Sequence, residues 1–359
     1  MALTSHTSFR VFTEGDTLYE AMLSAILGAR RQVSLESYIF ADDAVGSRFA
    51  EALMDRAGSG VQVRVHIDAA GSLFWVSRDM AQAMTEAGVR VRWFHRWSWR
   101  NPARYNRRNH RKLLVVDDEI AFLGGFNIHR ENSRREYGPA RWRDTHVEML
   151  GDLAGLAGRF FDAFWRNNRR WRPPARPGSR EHLISNHPRV SRNLLRELFA
   201  AECAVAGRYI YLTTPYFLPD KATQRALMDA GERGVDVRLL VPGKSDRRIA
   251  RWAALTSYEP LLQSGVRIYE YLPRMLHAKT VVVDGRWSTV GTSNFDYRSF
   301  FLNYELNLVS REASMCRTLA EQFEKDLEDS VQVVKDVWQR RGIEIRAIEF
   351  LGWMARRFL

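Results

Sequence analysis

Two segments of the chain carry the same chemically active residue types at the same spacing. The first reads NHRKLLVVDDEIAFLGGFN from residue 109, and the second reads LHAKTVVVDGRWSTVGTSN from residue 276. Both follow one pattern: H-x-K, four residues, D, six residues, then G-x-x-N. Agreement at five positions in two separate segments indicates a duplicated functional motif. Its members are His110, Lys112, Asp117 and Asn127 in the first segment and His277, Lys279, Asp284 and Asn294 in the second.

These residue types suit the transfer of a phosphodiester group. The lysine and the asparagine of each motif would hold the phosphate oxygens, where negative charge gathers during attack. A neutral histidine can attack phosphorus and form a covalent phosphohistidine. A second, protonated histidine can donate to the leaving alkoxide and later deprotonate the incoming hydroxyl. We therefore predict one catalytic site formed by His110, Lys112, Asp117, His277, Lys279 and Asp284, supported by Asn127 and Asn294.

Two carboxylates are candidates for orienting the histidine rings. Asp144 lies 34 residues after His110, and Glu305 lies 28 residues after His277. Both stand in alternating, strand-like segments, WRDTHVEM and LNYELNL, and a carboxylate bound to one ring nitrogen selects the tautomer. An ordinary surface carboxylate is the alternative for either one alone, but their parallel placement favours the orienting role.

A zinc site fits the motif poorly. H-x-K lacks the pair of histidines four residues apart that a helical zinc site uses, and a lysine beside each histidine would repel a cation. We therefore expect no metal at these histidines.

The elements that must position these residues are buried strands. The runs LLVV and TVVV after the two lysines are apolar and rich in β-branched residues, which predicts central strands. Because alternate side chains of a strand share a face, the histidine and lysine of each motif would project into one pocket. The aspartate would lie at the turn before the next strand.

The chain consists of two similar α/β halves. Helical periodicity over residues 18–31 and 48–57 alternates with strand-like runs at 33–40 and 61–68, and the pattern repeats with helices at 193–204 and 222–232 and strands at 209–217 and 235–242. The basic, proline-rich segment RRWRPPARPGSR is typical of a linker. We therefore predict a lobe over 1–170, a linker over 171–190, a second lobe over 191–330 related by a pseudo-twofold axis, and a basic amphipathic helix over 331–359.

The charge balance narrows the class of partner. The chain has 54 Lys and Arg against 42 Asp and Glu, a formal net charge of +12. Such a field attracts nucleic acid, anionic lipid surfaces or phosphorylated substrates, and a solvated basic surface without a specific partner is the alternative. Cys203 and Cys316 show no disulfide or CxxC pattern, which favours a reducing compartment.

In these motifs the chain resembles the phospholipase D superfamily, whose mark is a duplicated H-x-K-x(4)-D. The segments TPYFLPD at 214–220 and GTSNFDYRSF at 291–300 are similar to bacterial cardiolipin synthases, as are LESYIFADDAVG and IDAAGS in the first half. The resemblance implies two α/β/α sandwich lobes with the site at their interface and no metal or organic cofactor. It further implies a phosphatidyltransferase that converts two phosphatidylglycerol molecules to cardiolipin and glycerol, with His110 as nucleophile and His277 as acid/base.

Membrane attachment is expected at the surface. Many members of that group begin with two transmembrane helices, which this sequence lacks, so we expect a peripheral protein on the cytoplasmic face of the bacterial cytoplasmic membrane. Residues 90–112 interleave tryptophan with arginine, which suits anionic headgroups. Residues 343–359 show the pattern of a basic interfacial helix, for which docking on the protein core is an equal alternative.

Three other functions remain open. A nuclease of the same superfamily would use the same residues on DNA or RNA, although TPYFLPD and NFDYRSF argue against nucleic acid as the partner. A hydrolytic phospholipase D would use water in place of the alcohol. A non-catalytic membrane- or nucleic-acid-binding protein would keep the fold without the reaction. The sequence does not indicate an oligomeric state.

Overall fold

The computed structural model describes residues 8–96, 99–100, 105–168, 170–176, 178–186, 193–245 and 248–342, together with Gly352 and Met354. These residues form two large mixed β-sheets, one from each half of the chain, and helices pack on both. The prediction of two similar α/β lobes is confirmed.

The sheet of the first half has seven strands in the order β1-β7-β6-β5-β2-β3-β4. Strands β2, β3 and β4 run parallel, and β5 joins β2 in antiparallel orientation. The strands are β1 (Phe9–Phe12), β2 (Gln32–Ser37), β3 (Gln62–Asp68), β4 (Arg90–Phe94), β5 (Leu113–Val116), β6 (Ile120–Gly124) and β7 (His146–Leu150). The helices are α1 (Gly15–Leu27), α2 (Ala44–Gly58), α3 (Arg78–Glu86), α4 (Arg134–Tyr137) and α5 (Asp152–Trp165), with short 3-10 turns at Arg130–Asn132 and Gly138–Ala140.

The sheet of the second half repeats this order and adds one strand at an edge. Its strands run β8-β16-β14-β13-β9-β11-β12-β17, and β10 pairs separately with β15. The strands are β8 (Glu181–Ser185), β9 (Tyr209–Thr213), β10 (Phe217–Leu218), β11 (Asp236–Pro242), β12 (Arg267–Tyr271), β13 (Thr280–Val283), β14 (Trp287–Gly291), β15 (Phe295–Asp296), β16 (Leu306–Ser310) and β17 (Ser330–Gln332). The helices are α6 (Leu194–Val205), α7 (Lys221–Glu232), α8 (Arg248–Leu255), α9 (Tyr258–Gln263), α10 (Tyr297–Phe301), α11 (Ala313–Glu328) and α12 (Lys335–Gln339).

The two motifs occupy equivalent places in the two sheets. The histidine and lysine of the first motif directly precede β5, and those of the second directly precede β13. All four residues of each strand are buried, as the apolar runs LLVV and TVVV predict. The duplication in sequence is therefore a duplication in space.

Two boundary predictions are wrong in part. The strand predicted over 209–217 is divided into β9 and β10, because Pro215 between them has no N–H to donate to a sheet ladder. The linker predicted over 171–190 ends earlier, since β8 forms five pairs with β16 at the edge of the second sheet. For residues 171–180, the linker stays a prediction.

The single helix predicted over 331–359 is also wrong at its start. Strand β17 pairs with β12, and the short helix α12 follows it. Trp338 of α12 packs on Tyr258, which is buried in the hydrophobic core of the second half, with ring centroids 5.1 Å apart. The remainder of that prediction, residues 343–359, lies outside the described residues except for Gly352 and Met354.

One hydrophobic core joins the two halves. It contains apolar side chains of β5, β6, β7 and α5 from the first half and of β13, β14, β16 and α11 from the second. Phe161, Leu123 and Leu308 are each fully buried in it. Burying one side chain of this size contributes about 1.5–3 kcal/mol, so this shared core holds the two motifs in a defined relation.

Candidate active site

The two motif histidines line a single cavity between the halves. This cavity has a volume of about 300 Å³, and both His110 and His277 form part of its wall. Aromatic rings flank them: the ring centroid of Tyr38 lies 4.8 Å from that of His110, and the centroid of Trp142 lies 5.1 Å from that of His277. One small molecule can therefore contact both imidazoles.

Each histidine is held by a carboxylate from the other half. Nδ1 of His110 lies 3.0 and 3.1 Å from the two carboxylate oxygens of Glu305, and Nδ1 of His277 lies 2.5 Å from Asp144 Oδ2. Both carboxylates are buried. The structure thus brings all four predicted residues together, but it crosses the pairs between the halves.

Backbone hydrogen bonds support the crossed pairs. The N–H of His110 donates to the carbonyl of Tyr304 at 2.9 Å, directly before Glu305. The N–H of His277 donates to the carbonyl of Arg143 at 2.7 Å, directly before Asp144. Each histidine is therefore positioned by main chain and side chain of the same neighbouring segment.

A glycine in one motif makes room for its carboxylate. A Cβ atom on Gly125 would lie 2.0 Å from Asp144 Oδ1, so any larger residue would displace that carboxylate. The second half has Thr292 at the matching place, and its hydroxyl donates to Glu305 at 2.5 Å. The two carboxylates are thus fixed by different means.

The hydrogen bonds determine which ring nitrogen faces the cavity. Because a carboxylate accepts at Nδ1, that nitrogen carries the proton and Nε2 keeps its lone pair. Burial lowers the pKa of His110 to about 4, against the opposing charge of Glu305. Burial, followed by the Lys279 ammonium, also lowers the pKa of His277. Burial thus favours the neutral form of both imidazoles in the unliganded site.

The two motif lysines lie beside the histidines and are not among the residues that line the cavity. Lys112 Nζ donates to the carbonyl of His110 at 2.8 Å, and Lys279 Nζ donates to the carbonyl of His277. Burial, with the charge of Lys279, lowers the pKa of Lys112 to about 7. An anion placed at the ammonium groups would offset their repulsion, so the site favours a negatively charged ligand.

The comparisons with known proteins agree with this geometry. The family model described as "Cardiolipin synthase, PLD-like domain" matches residues 22–138 and 200–327. A cardiolipin synthase of Oceanobacillus iheyensis is 32% identical over 97% of this chain and 74% of its own length. Cardiolipin synthase 2 of Bacillus anthracis is 33% identical over 96% of this chain and 69% of its own length.

The chain belongs to the phospholipase-D-like cardiolipin synthase family.

Solved structures show the same fold in enzymes related more distantly. Phosphatidylserine synthase of Haemophilus influenzae has a TM-score of 0.75 at 12% identity, covering 100% of this chain and 94% of its own. Polyphosphate kinase of Porphyromonas gingivalis has a TM-score of 0.64 at 15% identity, covering 96% of this chain and 52% of its own. The fold of this chain is therefore shared with proteins of other names at low sequence identity.

The motif asparagines both line the cavity of this cardiolipin synthase family member. The amide oxygen of Asn127 accepts from the N–H of Ile39 at 3.2 Å, which leaves its NH₂ group as a donor. The amide nitrogen of Asn294 lies 3.3 Å from a carboxylate oxygen of Asp296. The two asparagines therefore differ in the partners that their amides have.

The motif aspartates lie at the turns directly after β5 and β13, where the sequence predicts them, and are not among the residues that line the cavity. Asp117 is five residues beyond Lys112, past the whole of β5, which spans about 3.3 Å per residue. Its carboxylate accepts from the backbone N–H groups of Arg30, Arg31 and Gln32, each at 2.8 Å. Asp284 accepts from those of residues 207–209 in the same way, each at 2.9 Å.

A left-handed turn explains why aspartate stands at these positions. The φ angles of Asp117 and Asp284 are 53° and 52°, a region that aspartate and asparagine tolerate better than most residues. Their carboxylates join the strand-turn-strand corner to the chain that enters β2 or β9. The aspartate is thus a structural member of the motif in both halves.

Several residues that line the cavity were not predicted from the sequence. Tyr38, Trp142 and Tyr216 shape the wall, and Arg108, Arg298 and Asn303 add polar groups. None belongs to the repeated pattern, so spacing alone could not select them. Arg298 and Asn303 do lie in or beside the NFDYRSF segment that carries the family resemblance.

Two further observations concern the described part of the chain. It contains no helix long and apolar enough to cross a membrane. It also contains no group of three or more histidine, cysteine, aspartate or glutamate residues that could hold a metal ion.

We predict that Asp117→Asn and Asp284→Asn each lower the free energy of unfolding by about 1–2 kcal/mol, while turnover per folded molecule stays within about threefold. Three backbone N–H groups outweigh burial and lower the pKa of Asp117, so its stabilisation is present above the unfolded-state pKa of about 4. The difference in unfolding free energy between the unchanged protein and the Asp117→Asn variant should therefore shrink as pH falls below about 4. Urea unfolding and phospholipid turnover measure the two effects.

The exposed Asp42, for which the structure gives no side-chain hydrogen bond in the described residues, offers the matched control Asp42→Asn. This change should alter stability by less than about 0.5 kcal/mol. Loss of turnover in a fully folded Asp117→Asn protein would contradict a purely structural role.

Proposed function

We propose that this chain is a cardiolipin synthase that moves a phosphatidyl group from one phosphatidylglycerol to the hydroxyl of another and releases glycerol. The observation that carries this proposal is the placement of the two motif imidazoles on one cavity, each tied through Nδ1 to a buried carboxylate of the other half. Relatives that are 32–33% identical are named cardiolipin synthases, and these names indicate the lipid product.

In the first step, Nε2 of His110 attacks the phosphorus of the donor lipid. The new N–P bond forms as the bond to the glycerol oxygen breaks, and a proton from His277 goes to that oxygen. The resemblance to the phospholipase D superfamily implies that His110 is the nucleophile. Lys112, Lys279 and Asn127 would hold the phosphate oxygens while charge collects on them.

In the second step, the hydroxyl of the acceptor attacks the phosphohistidine. His277, neutral after the first step, takes the hydroxyl proton, and the N–P bond breaks to restore His110. The first step requires a proton on His277, whose pKa burial lowers in the empty site. A bound phosphodiester adds a negative charge beside the ring and favours that proton.

Incubation of the purified chain with phosphatidylglycerol vesicles and, separately, with single-stranded DNA tests the proposal. We expect cardiolipin and glycerol in equal amounts and intact DNA, because the acceptor is a lipid alcohol. Lipids are analysed by mass spectrometry and DNA by gel electrophoresis. His110→Ala and His277→Ala should each reduce turnover by at least about 10³-fold.

The exposed His182 on β8 provides the control variant His182→Ala, which should keep full activity. Phosphatidic acid as the sole product would assign hydrolysis instead, and shortened DNA would assign a nuclease. Either result would overturn the proposed transfer reaction.

We further propose that a surface beside the cavity binds the membrane. The loop after β3 exposes Phe74 at 91% and Leu73 at 56%, and Trp99 is 78% exposed. This loop lies close to the site, since Ser72 Oγ donates to the carbonyl of the cavity residue Tyr38 at 3.0 Å. Exposed apolar and aromatic side chains of this kind insert into the headgroup region.

A groove continues from this surface, and arginines border it. It has a volume of about 780 Å³ and is lined by residues that include Trp93, Val76, Arg78 and Arg96. Arginine at the edge of an apolar groove matches an anionic headgroup above its acyl chains. Trp93 and Trp99 belong to the segment 90–112 expected from the sequence, whereas Trp97 lies outside the described residues.

We predict that Phe74→Ser weakens binding to phosphatidylglycerol vesicles by about 10- to 100-fold, because the loss of one inserted aromatic ring costs about 1.5–3 kcal/mol. Co-sedimentation with the vesicles measures this binding. Turnover of detergent-dispersed lipid should not change, since Phe74 is not part of the cavity wall. Val205, which is 63% exposed at the end of α6, offers the control Val205→Ser. Equal vesicle binding by Phe74→Ser and Val205→Ser would contradict the proposal that the surface around Phe74 binds the membrane.

A further inference from the structure

The cavity is less symmetric than the motifs that form it. Two residues before the motif histidine the first half has Arg108, whereas the second half has Met275. Four residues after the motif asparagine the first half has Glu131, whereas the second has Arg298. Both arginines line the cavity, so each introduces a positive charge for which the other half has no counterpart.

Arg108 is buried without a full set of partners. Its side chain packs over the ring of Tyr105, with Cζ 3.7 Å from the centroid, and the residue is only 8% exposed. Within the described residues, its Nη1 has no hydrogen-bond partner. A buried guanidinium nitrogen without an acceptor costs free energy, so its presence on the cavity wall indicates an anionic ligand.

The charges around Arg108 do not satisfy it. Asp68 offsets part of its charge, but the Asp68 carboxylate already accepts from the backbone N–H groups of Ala70, Gly71 and Asn109 at 2.7–3.0 Å. Arg298 donates to the side-chain and backbone oxygens of Asn106, two residues before Arg108. Two guanidinium groups thus lie on one edge of the cavity, attached to the same short segment.

We propose that Arg108, with Arg298 beside it, binds the phosphodiester of the acceptor lipid. The proposal rests on the proposed synthase function, in which the acceptor is itself an anionic phosphodiester. In the proposed reaction the two motif lysines, one from each half, hold the reacting phosphate. The unduplicated arginines therefore suit the second phosphate, which is present only when the acceptor is a phospholipid.

This site would act in the second step alone. The acceptor hydroxyl oxygen forms the new P–O bond, the P–N bond to His110 breaks, and the hydroxyl proton goes to His277. Arg108 takes no part in these bond changes. It holds the acceptor by its charge, so an uncharged alcohol or water would gain nothing from it.

The test compares Arg108→Met, which copies the residue of the second half, with the unchanged chain in three reactions. These are cardiolipin formation, incorporation of isotope-labelled glycerol into phosphatidylglycerol, and release of phosphatidic acid. We expect cardiolipin formation to fall by about 10- to 100-fold, as for the loss of a charged hydrogen bond. Labelled-glycerol incorporation and hydrolysis should stay within about twofold. Arg108→Lys should recover part of the cardiolipin activity, because it keeps the charge.

The matched control is Met275→Leu, which should leave all three reactions unchanged. Retained glycerol incorporation also shows that the Arg108→Met protein is folded. Equal loss of the three reactions would place Arg108 at the reacting phosphate and overturn this inference alone, as would an unchanged yield of cardiolipin. Absence of cardiolipin with the wild-type enzyme would overturn the proposed function and this inference together.

Discussion

The site depends on one interaction: each half supplies the carboxylate that holds the catalytic-motif histidine of the other half. Glu305 of the second half holds His110 of the first, and Asp144 of the first holds His277 of the second. Neither half on its own can orient its histidine, because the acceptor of the Nδ1 proton belongs to the other half. Folding of both halves and formation of the site are therefore coupled, and the shared core of α5, α11 and the two sheets supplies the apolar burial that holds them together.

Burial gives this arrangement its chemical character. In water the imidazoles would titrate near pH 6.5 and the lysines near pH 10.4, but burial lowers the pKa of His110 to about 4 and that of Lys112 to about 7. Burial therefore favours the uncharged forms of both imidazoles and of Lys112 in the empty site. A bound anion would favour the charged forms of these groups. In the proposed reaction, binding of the phosphodiester and protonation of one imidazole are thus coupled.

Much of this site was predictable because its residues follow simple periodicities. Alternation along buried strands places a histidine and a lysine on one face, and the repeat shows that the face occurs twice. The crossing of Asp144 and Glu305 was not predictable, since each follows the motif of its own half in sequence and the contact depends on how the halves dock. Asp117 was assigned to the catalytic set because it belongs to the motif, whereas a φ angle of 53° and three backbone N–H partners account for its presence at the turn. Arg108 stands in a basic stretch where Arg111 is also buried, and its place on the cavity wall, which the sequence does not reveal, distinguishes it.

The central claim is a covalent intermediate on one histidine of a site built by both halves. The most direct measurement is a rapid alkaline quench of enzyme with phosphatidylglycerol, followed by mass-spectrometric mapping of the modified nitrogen. We predict a phosphatidyl adduct, or its deacylated form, on Nε2 of His110, because Nδ1 is bound to Glu305, and no adduct on the His110→Ala protein. An adduct on Nδ1 or on a residue outside the two motifs, or product formation without any histidine adduct, would contradict it.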